Sequence, residues 1–215
     1  MQTRSDAEEH LRIIRSLMEK ATIYRAISAP TALVGGLASV VATFVGPSPF
    51  APSAGPIELA RSIFLATWLA VLAITAFANT WFLWFDARRR KEKFLSAGMR
   101  AAVRAFSPSY LTAAFFTFLF SSAPEILPPI WMLFYGLGLL ATQHFAPRSI
   151  ALLGWAFLAA GLLFLVPIFR QIFHVSPRVD HANVAMGVTF GLFHLIYAAF
   201  AWPRGRAATA AHSNA

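Results

Sequence analysis

Six long apolar runs constrain this chain more than any other feature of its sequence. They cover about residues 26–45, 62–85, 105–123, 126–145, 149–169 and 183–202. Each is close to the roughly 20 residues that an α-helix needs to cross the hydrocarbon core of a bilayer. The alternative, a membrane β-barrel, needs strands of alternating apolar and polar residues, whereas "ALLGWAFLAAGLLFLVPIF" is apolar on all sides. The sequence therefore predicts an all-α polytopic membrane protein, a bundle of six transmembrane helices.

The composition agrees with this class and leaves no room for a separate soluble domain. Of the 215 residues, 58% are hydrophobic and 13% are charged, whereas soluble domains average about 25% charged residues. We expect a cytoplasmic amphipathic helix at 1–25, the six-helix domain at 26–202 and a disordered cytoplasmic tail at 203–215. The third span is the weakest, since "SPS" interrupts its apolar stretch and Tyr110 is an alternative start.

Lysine and arginine are unevenly distributed among the segments that connect the runs. Fifteen of the 18 lie in the N-terminal segment, between the second and third runs, at Arg148 or in the tail. Only Arg61, Arg170 and Arg178 lie on the other side. Because cytoplasmic loops carry the excess of basic residues, both termini are predicted to be cytoplasmic.

Two segments outside the runs have amphipathic patterns. "SDAEEHLRIIRSLMEKATIYRAIS", at 5–28, begins with a capping box and carries an apolar stripe. We expect it to form a helix along the cytoplasmic membrane surface or beneath the bundle. "ARRRKEKFLSAGMRAAVRAF", at 87–106, has a basic side, for which anionic lipid head groups and nucleic acid are the alternatives. A cluster next to a span favours lipid, and no nucleic-acid partner is predicted.

The N-terminal run "HLRIIRSLMEKATIYRAISAPTALVGG", at 10–36, carries a family resemblance. It resembles the start of a group of uncharacterised bacterial multi-pass membrane proteins, in which His-Leu, Ile-Arg, Leu-Met-Glu and Tyr-Arg lead into the first span. The resemblance covers about an eighth of the chain. It implies a bacterial origin and a six-helix inner-membrane protein, and it implies no activity.

His194 is the strongest functional candidate within a span, because ionisable groups are costly in hydrocarbon and are commonly functional there. Gly187, Gly191 and His194 follow at i, i+4 and i+7, so an α-helix would place them on one face. Small residues mark a packed face, which predicts that His194 points into the bundle. It is either a neutral group with a structural hydrogen bond or a titratable site that binds a ligand or relays protons. Its candidate partners in other runs are Asn79, Thr75 and Tyr135.

A second polar group is expected on the outer side. The loop "RQIFHVSPRVDHAN" contains His174, Asp180 and His181, and Glu125 lies in a short turn on the same side. Zinc sites take three or four such ligands, but this spacing matches no established motif. A solvated loop, with Glu125 capping the fourth helix, is the alternative.

Several kinds of chemistry are excluded by residues that the chain lacks. It contains no cysteine, which excludes thiol catalysis, disulfides and thiolate metal sites. Haem held between His194 and a second histidine is not expected, because no other histidine lies at a similar depth. We therefore predict no cofactor and no bound metal.

A weak internal sequence repeat relates the two halves of the chain. "SAPTAL" at 28–33 opens the first run, and "SAPEIL" at 122–127 opens the fourth. Three helices in each half would make the halves inverted, as in many transporters. Chance Ala-Pro pairs in an alanine-rich chain are the alternative.

Together these patterns predict a non-enzymatic bacterial inner-membrane protein with an interaction or regulatory role. Its partners are the bilayer, anionic lipid head groups at the basic loop, and a cytoplasmic protein. One alternative is a small transporter or ligand-binding protein with a polar centre around His194, Asn79 and Tyr135. A third function, an enzyme acting on lipid, requires the outer histidines and Asp180 to converge with Glu125.

Overall fold

The computed structural model describes residue 9 and residues 29–47, 56–91, 94, 97–143, 146–166 and 178–201. Within these residues the chain is helical and contains no strand, which confirms the predicted all-α class. Apart from residue 9, the amphipathic helix expected at 1–25 lies outside the described residues, as does the tail at 203–215.

Six helices follow one another along the described chain, one in each apolar run. They are α1 (Ala29–Val45), α2 (Ile57–Arg90), α3 (Ala97–Leu119), α4 (Leu127–Ala141), α5 (Arg148–Leu165) and α6 (Val179–Ala201). A 3₁₀ turn at Pro124–Ile126 leads into α4. Within α6, residues Gly187–Phe193 are π-helical.

Four of these helices are long and apolar enough to cross a membrane: α2, α4 with its 3₁₀ turn, α5 and α6. Helix α1 is equally apolar, but its described length is only 17 residues. Helix α3 has 23 residues but carries Arg100 and Arg104 in its first half. The structure thus supports a membrane protein, and the six-span count stays a prediction.

The "SPS" triplet interrupts the apolar stretch of the third run, but it does not interrupt helix α3. The helix runs through Pro108 from Ala97. A proline inside a helix leaves the carbonyl four residues earlier without its usual N–H donor, here that of Arg104. The Ser107 hydroxyl donates a hydrogen bond to this carbonyl at 3.1 Å. The helix therefore begins well before Tyr110, while the start of the span, at about Ala105 or at Tyr110, stays a prediction.

Helix α1 packs between α2 and α6 through adjacent glycines. A Cβ added to Gly35 would lie 3.0 Å from the Thr75 side chain of α2. A Cβ added to Gly36 would lie 3.1 Å from the Gly191 carbonyl oxygen of α6. These contacts confirm that Gly36 and Gly191 are bundle contacts, as expected from small residues that let helix backbones approach.

Helix α4 packs between α5 and α3 in the same way. A Cβ added to Gly136 would lie 2.8 Å from the Gly154 carbonyl oxygen of α5. A Cβ added to Gly138 would lie 2.9 Å from the Phe106 ring of α3. The sequence analysis did not single out either glycine of α4.

The outer surface of the bundle is apolar. Large apolar side chains on several helices point outward from the bundle. Examples are Leu37, Phe77, Phe118, Leu152 and Phe200, which are 51–81% exposed. Soluble monomers rarely expose contiguous apolar surface of this extent. In a bilayer these side chains would face lipid, so the surface agrees with a membrane protein.

Successive helices run in opposite directions, which brings charges of different kinds to the two ends. At one end Asn183, at the start of α6, bonds the carbonyl of Pro47 just beyond α1, and Arg61 near the start of α2 bonds Glu125. The charged residues that the structure describes at this end are Glu58, Arg61, Glu125, Arg178 and Asp180. The charged residues at the other end include Asp86, Arg88, Arg89, Lys91, Arg100, Arg104 and Arg148.

Replacing Gly136 with alanine tests the close approach of α4 and α5. The new methyl group would meet backbone atoms of α5 rather than a movable side chain, so Gly136→Ala should lower the free energy of unfolding by about 2 kcal/mol. Thermal unfolding in detergent micelles measures the change. The control is Leu137→Ala, whose side chain is 44% exposed. Equal effects of the two substitutions would show that the glycine contact has no special importance.

Candidate functional site

His194 lies inside the bundle, as predicted, but not on the face that the spacing predicted. Its side chain is buried, with 7% of the residue exposed. Gly187 and Gly191 face Thr43 and Val40 of α1, whereas His194 faces α4 and α5. A π-helix has more residues in each turn than an α-helix. The π-helical residues Gly187–Phe193 therefore rotate His194 away from the glycine face. The prediction that His194 shares a face with Gly187 and Gly191 is wrong.

Both ring nitrogens of His194 are hydrogen-bonded. Nδ1 lies 2.8 Å from the Phe190 carbonyl oxygen, one turn earlier in α6. A carbonyl oxygen only accepts, so Nδ1 carries a proton and donates it. Nε2 lies 2.7 Å from the Tyr135 hydroxyl of α4. In the neutral imidazole Nε2 has a free lone pair, so the hydroxyl donates to it, and a second proton would reverse this bond.

Aromatic rings enclose this pair. The Phe157 ring of α5 makes an edge contact with Tyr135, at 4.7 Å between centroids, and lies 5.4 Å from the His194 ring. Phe190 lies 4.7 Å from Phe157, and Phe193 lies 5.4 Å from it. Apolar surroundings favour the uncharged imidazole, because an isolated charge is costly to bury. The surroundings therefore fit a structural hydrogen bond between α4 and α6.

Asn79 does not join this centre. Its side-chain oxygen accepts a hydrogen bond from the Thr31 hydroxyl of α1 at 3.2 Å, so it belongs to the contact between α1 and α2. Thr75 of α2 also lies at this α1–α2 interface, where it packs against Gly35. Of the three partners that the sequence offered to His194, only Tyr135 bonds it.

Glu125 forms an ion pair that the sequence analysis did not foresee. The Arg61 guanidinium of α2 donates from Nη2 to Oε1 at 2.6 Å and from Nε to Oε2 at 3.2 Å. This bidentate geometry is the strong form of an arginine–carboxylate ion pair. The carboxylate side chain is only 10% exposed. Glu125 is therefore held to α2 rather than offered as a metal ligand.

The other outer candidates are arranged separately. Asp180 accepts two hydrogen bonds from Arg178, at 3.1 and 3.0 Å, and one from the backbone N–H of His181. His174 lies outside the described residues. Among the residues that the structure does describe, no three of the histidine, aspartate and glutamate side chains are grouped to hold a metal ion.

Asn183 is a buried polar residue that the sequence analysis passed over, because it lies at the edge of an apolar run. It is completely buried. Its side-chain oxygen accepts from the Trp68 indole at 2.9 Å, and its amide nitrogen donates to the carbonyls of Thr43 and Pro47, both at 2.9 Å. This one side chain joins α1, α2 and α6 at the end of the bundle where Arg61 meets Glu125.

A double-mutant cycle tests the Tyr135–His194 bond. Tyr135→Phe should cost about 1 kcal/mol of unfolding free energy, because Nε2 loses its buried donor. Adding His194→Leu should cost less than the sum of the single changes, because the unpaired group is then gone. The control pairs Tyr135→Phe with Asn79→Leu, which should be additive. An additive result for Tyr135 and His194 would contradict the bond.

The chain matches no protein-family model, no curated protein and no solved structure. The bacterial family resemblance of residues 10–36 therefore stays a prediction.

Proposed function

We propose that this is a six-span protein of the bacterial inner membrane with both termini in the cytoplasm. Its basic end binds anionic lipid head groups and forms a docking face for a cytoplasmic protein, and it performs no catalysis. This proposal includes its membership of the bacterial multi-pass family that the N-terminal run resembles. The single observation that carries the proposal is the separation of charge between the two ends of the bundle.

At the outer end the described charged side chains are three acids and two arginines. Both of these arginines, Arg61 and Arg178, are paired with carboxylates. At the opposite end basic residues from α2, α3 and α5 exceed the described acid, Asp86. An excess of lysine and arginine marks the cytoplasmic side of inner-membrane proteins, which supports the orientation. It also supplies the field that attracts anionic lipids.

Two arginines at the end of α2 are held against aromatic rings. The Arg88 guanidinium lies 4.3 Å from the centre of the Trp84 ring, and that of Arg89 lies 4.4 Å from the centre of the Phe85 ring. Such contacts orient a guanidinium beside apolar surface while leaving its edge open to hydrogen-bond acceptors. Tryptophan is also enriched at the membrane interface. This arrangement supports contact with lipid phosphates.

The proposed spans of α1 and α3 are supported by their neighbours. Helix α3 follows α4 along its length, since Phe106 meets Gly138 near one end and Thr117 accepts a hydrogen bond from Trp131 near the other. Helix α1 lies along α6 from Gly36, which meets Gly191, to Thr43, which meets Gly187. Because these stretches of α1 and α3 lie alongside spanning helices, they share the same layer of the membrane.

Cysteine labelling tests the topology, because the chain contains no cysteine of its own. In intact spheroplasts a membrane-impermeant maleimide should label Glu58→Cys and Ser121→Cys. It should label Phe94→Cys only after permeabilisation. Residues 94 and 121 flank α3, so labelling of both from the same side would contradict a third span, and the reverse pattern would contradict the orientation.

Lipid dependence tests the basic end. In nanodiscs at low salt, phosphatidylglycerol should raise the melting temperature of the protein relative to phosphatidylcholine. The double variant Arg88→Gln with Arg89→Gln should lose much of this gain, since each basic residue near an anionic surface contributes about 1 kcal/mol. The control, Arg178→Gln at the outer end, should keep it. Equal losses in both variants would contradict a site at the end of α2.

Deletion of residues 1–22 tests the docking role. The truncated protein should still insert and keep its lipid preference, but it should no longer co-purify with a cytoplasmic protein that the full chain retains. Unchanged co-purification would contradict a docking role for this segment.

A further inference from the structure

The six helices pack in a pattern that repeats after three. Helix α1 packs on the next helix, α2, and on the last, α6. Helix α4 packs on the next helix, α5, and on α3. If α1, α2 and α3 correspond to α4, α5 and α6, each central helix contacts the second helix of its own half and the third helix of the other half.

The details of packing repeat as well. In α1, Gly35 approaches α2 and Gly36 approaches α6. In α4, Gly136 approaches α5 and Gly138 approaches α3. Each central helix thus uses two nearby glycines, one toward each neighbour. The tripeptide Ser-Ala-Pro occurs at 28–30, where α1 begins, and at 122–124, shortly before α4.

Because successive helices alternate in direction, α1 and α4 run in opposite directions. Two equivalent halves of opposite direction form an inverted repeat, related by an axis in the membrane plane. The packing also divides the helices into two groups: group A, formed by α1, α2 and α6, and group B, formed by α3, α4 and α5. In transporters with inverted repeats, access alternates when such groups rock against each other.

At the outer end an ion pair and a ring contact join groups A and B. The Arg61–Glu125 ion pair crosses from α2 to the start of α4. One turn deeper, the Phe64 ring of α2 lies parallel to the Trp131 ring of α4, with 6.3 Å between centroids. Phe64 is completely buried in this contact.

The corresponding contacts at the cytoplasmic end would join α5 to the start of α1, and α3 to α1 and α2. Among the described residues, none of these helix pairs packs with an extent comparable to the outer contacts. An inverted repeat in which, among the described residues, α2 contacts α4 but its counterpart α5 does not contact α1 to a similar extent has the asymmetry expected of one state of an alternating-access cycle. In this structure the contact that is made lies at the outer end.

We propose that the protein is an alternating-access transporter and that Arg61 and Glu125 form its outer gate. The substrate site lies between groups A and B, where the Tyr135–His194 bond crosses from α4 to α6. The Tyr135 hydroxyl, the His194 imidazole and aromatic faces line it, so it suits a small uncharged solute with hydrogen-bonding groups. Entry of such a solute would replace the bond between Tyr135 and His194. The inference rests on the six-span topology proposed above and adds an activity to it.

Distances between pairs of spin labels test the gate without a known substrate. The outer pair is Ile57→Cys with Phe118→Cys, and the cytoplasmic pair is Leu152→Cys with Phe200→Cys. All four sites are more than half exposed and each pair joins groups A and B. In nanodiscs, Glu125→Gln should lengthen the outer distance and shorten the cytoplasmic one. Arg61→Gln should produce the same reciprocal shift.

The control is Arg178→Gln, which breaks an ion pair within the start of α6 and should leave both distances unchanged. A longer outer distance with an unchanged cytoplasmic distance would overturn the inference, because it would show only local opening. Unchanged distances, or broadening of both pairs in both gate variants, would overturn it as well. Cysteine labelling reports the spans separately, so a failed gate with correct topology is distinguished from a failed topology.

Discussion

Close packing at glycine is the interaction on which the rest of this structure depends. Water supplies no hydrophobic force between helices inside a bilayer, so the helices associate through close van der Waals contact. In this chain Gly35 and Gly36 of α1, and Gly136 and Gly138 of α4, each allow a neighbouring helix to approach closely. They make α1 and α4 the central helices and leave large side chains to face outward. The two groups of three helices, and the interface between them, follow from these four contacts.

Two polar contacts cross between the groups. Arg61 and Glu125 join α2 to α4, and Tyr135 of α4 bonds His194 of α6. A third, at Asn183, joins three helices within group A. Each of these side chains is satisfied by a partner on another helix, as low-dielectric surroundings require. Polar bonds in a membrane interior limit which helix arrangements are stable, because an unpaired group is costly. The same bonds would have to change in any rearrangement of the two groups.

Sequence reasoning predicted the class and the helices well and the site only in part. It placed His194 inside and named Tyr135 among its partners. It failed on the face, because it assumed a regular α-helix through residues that are π-helical. It grouped Asn79 with His194, whereas Asn79 bonds α1. It counted Arg61 only as one of the few basic residues on the less basic side. It missed the ion pair of Arg61 with Glu125, because a partner 64 residues away leaves no local sequence pattern.

The sequence by itself determined that the chain forms apolar helices and that its charge collects between particular runs. The reason is that both properties depend on local composition. An apolar segment in lipid must form a helix, and a segment rich in lysine and arginine is costly to move across the membrane. Only the tertiary structure decided which helices are central, which polar groups meet and at which end the two groups are joined. Those outcomes depend on the shapes of helix faces and on contacts between residues far apart in the chain, and no single segment encodes them.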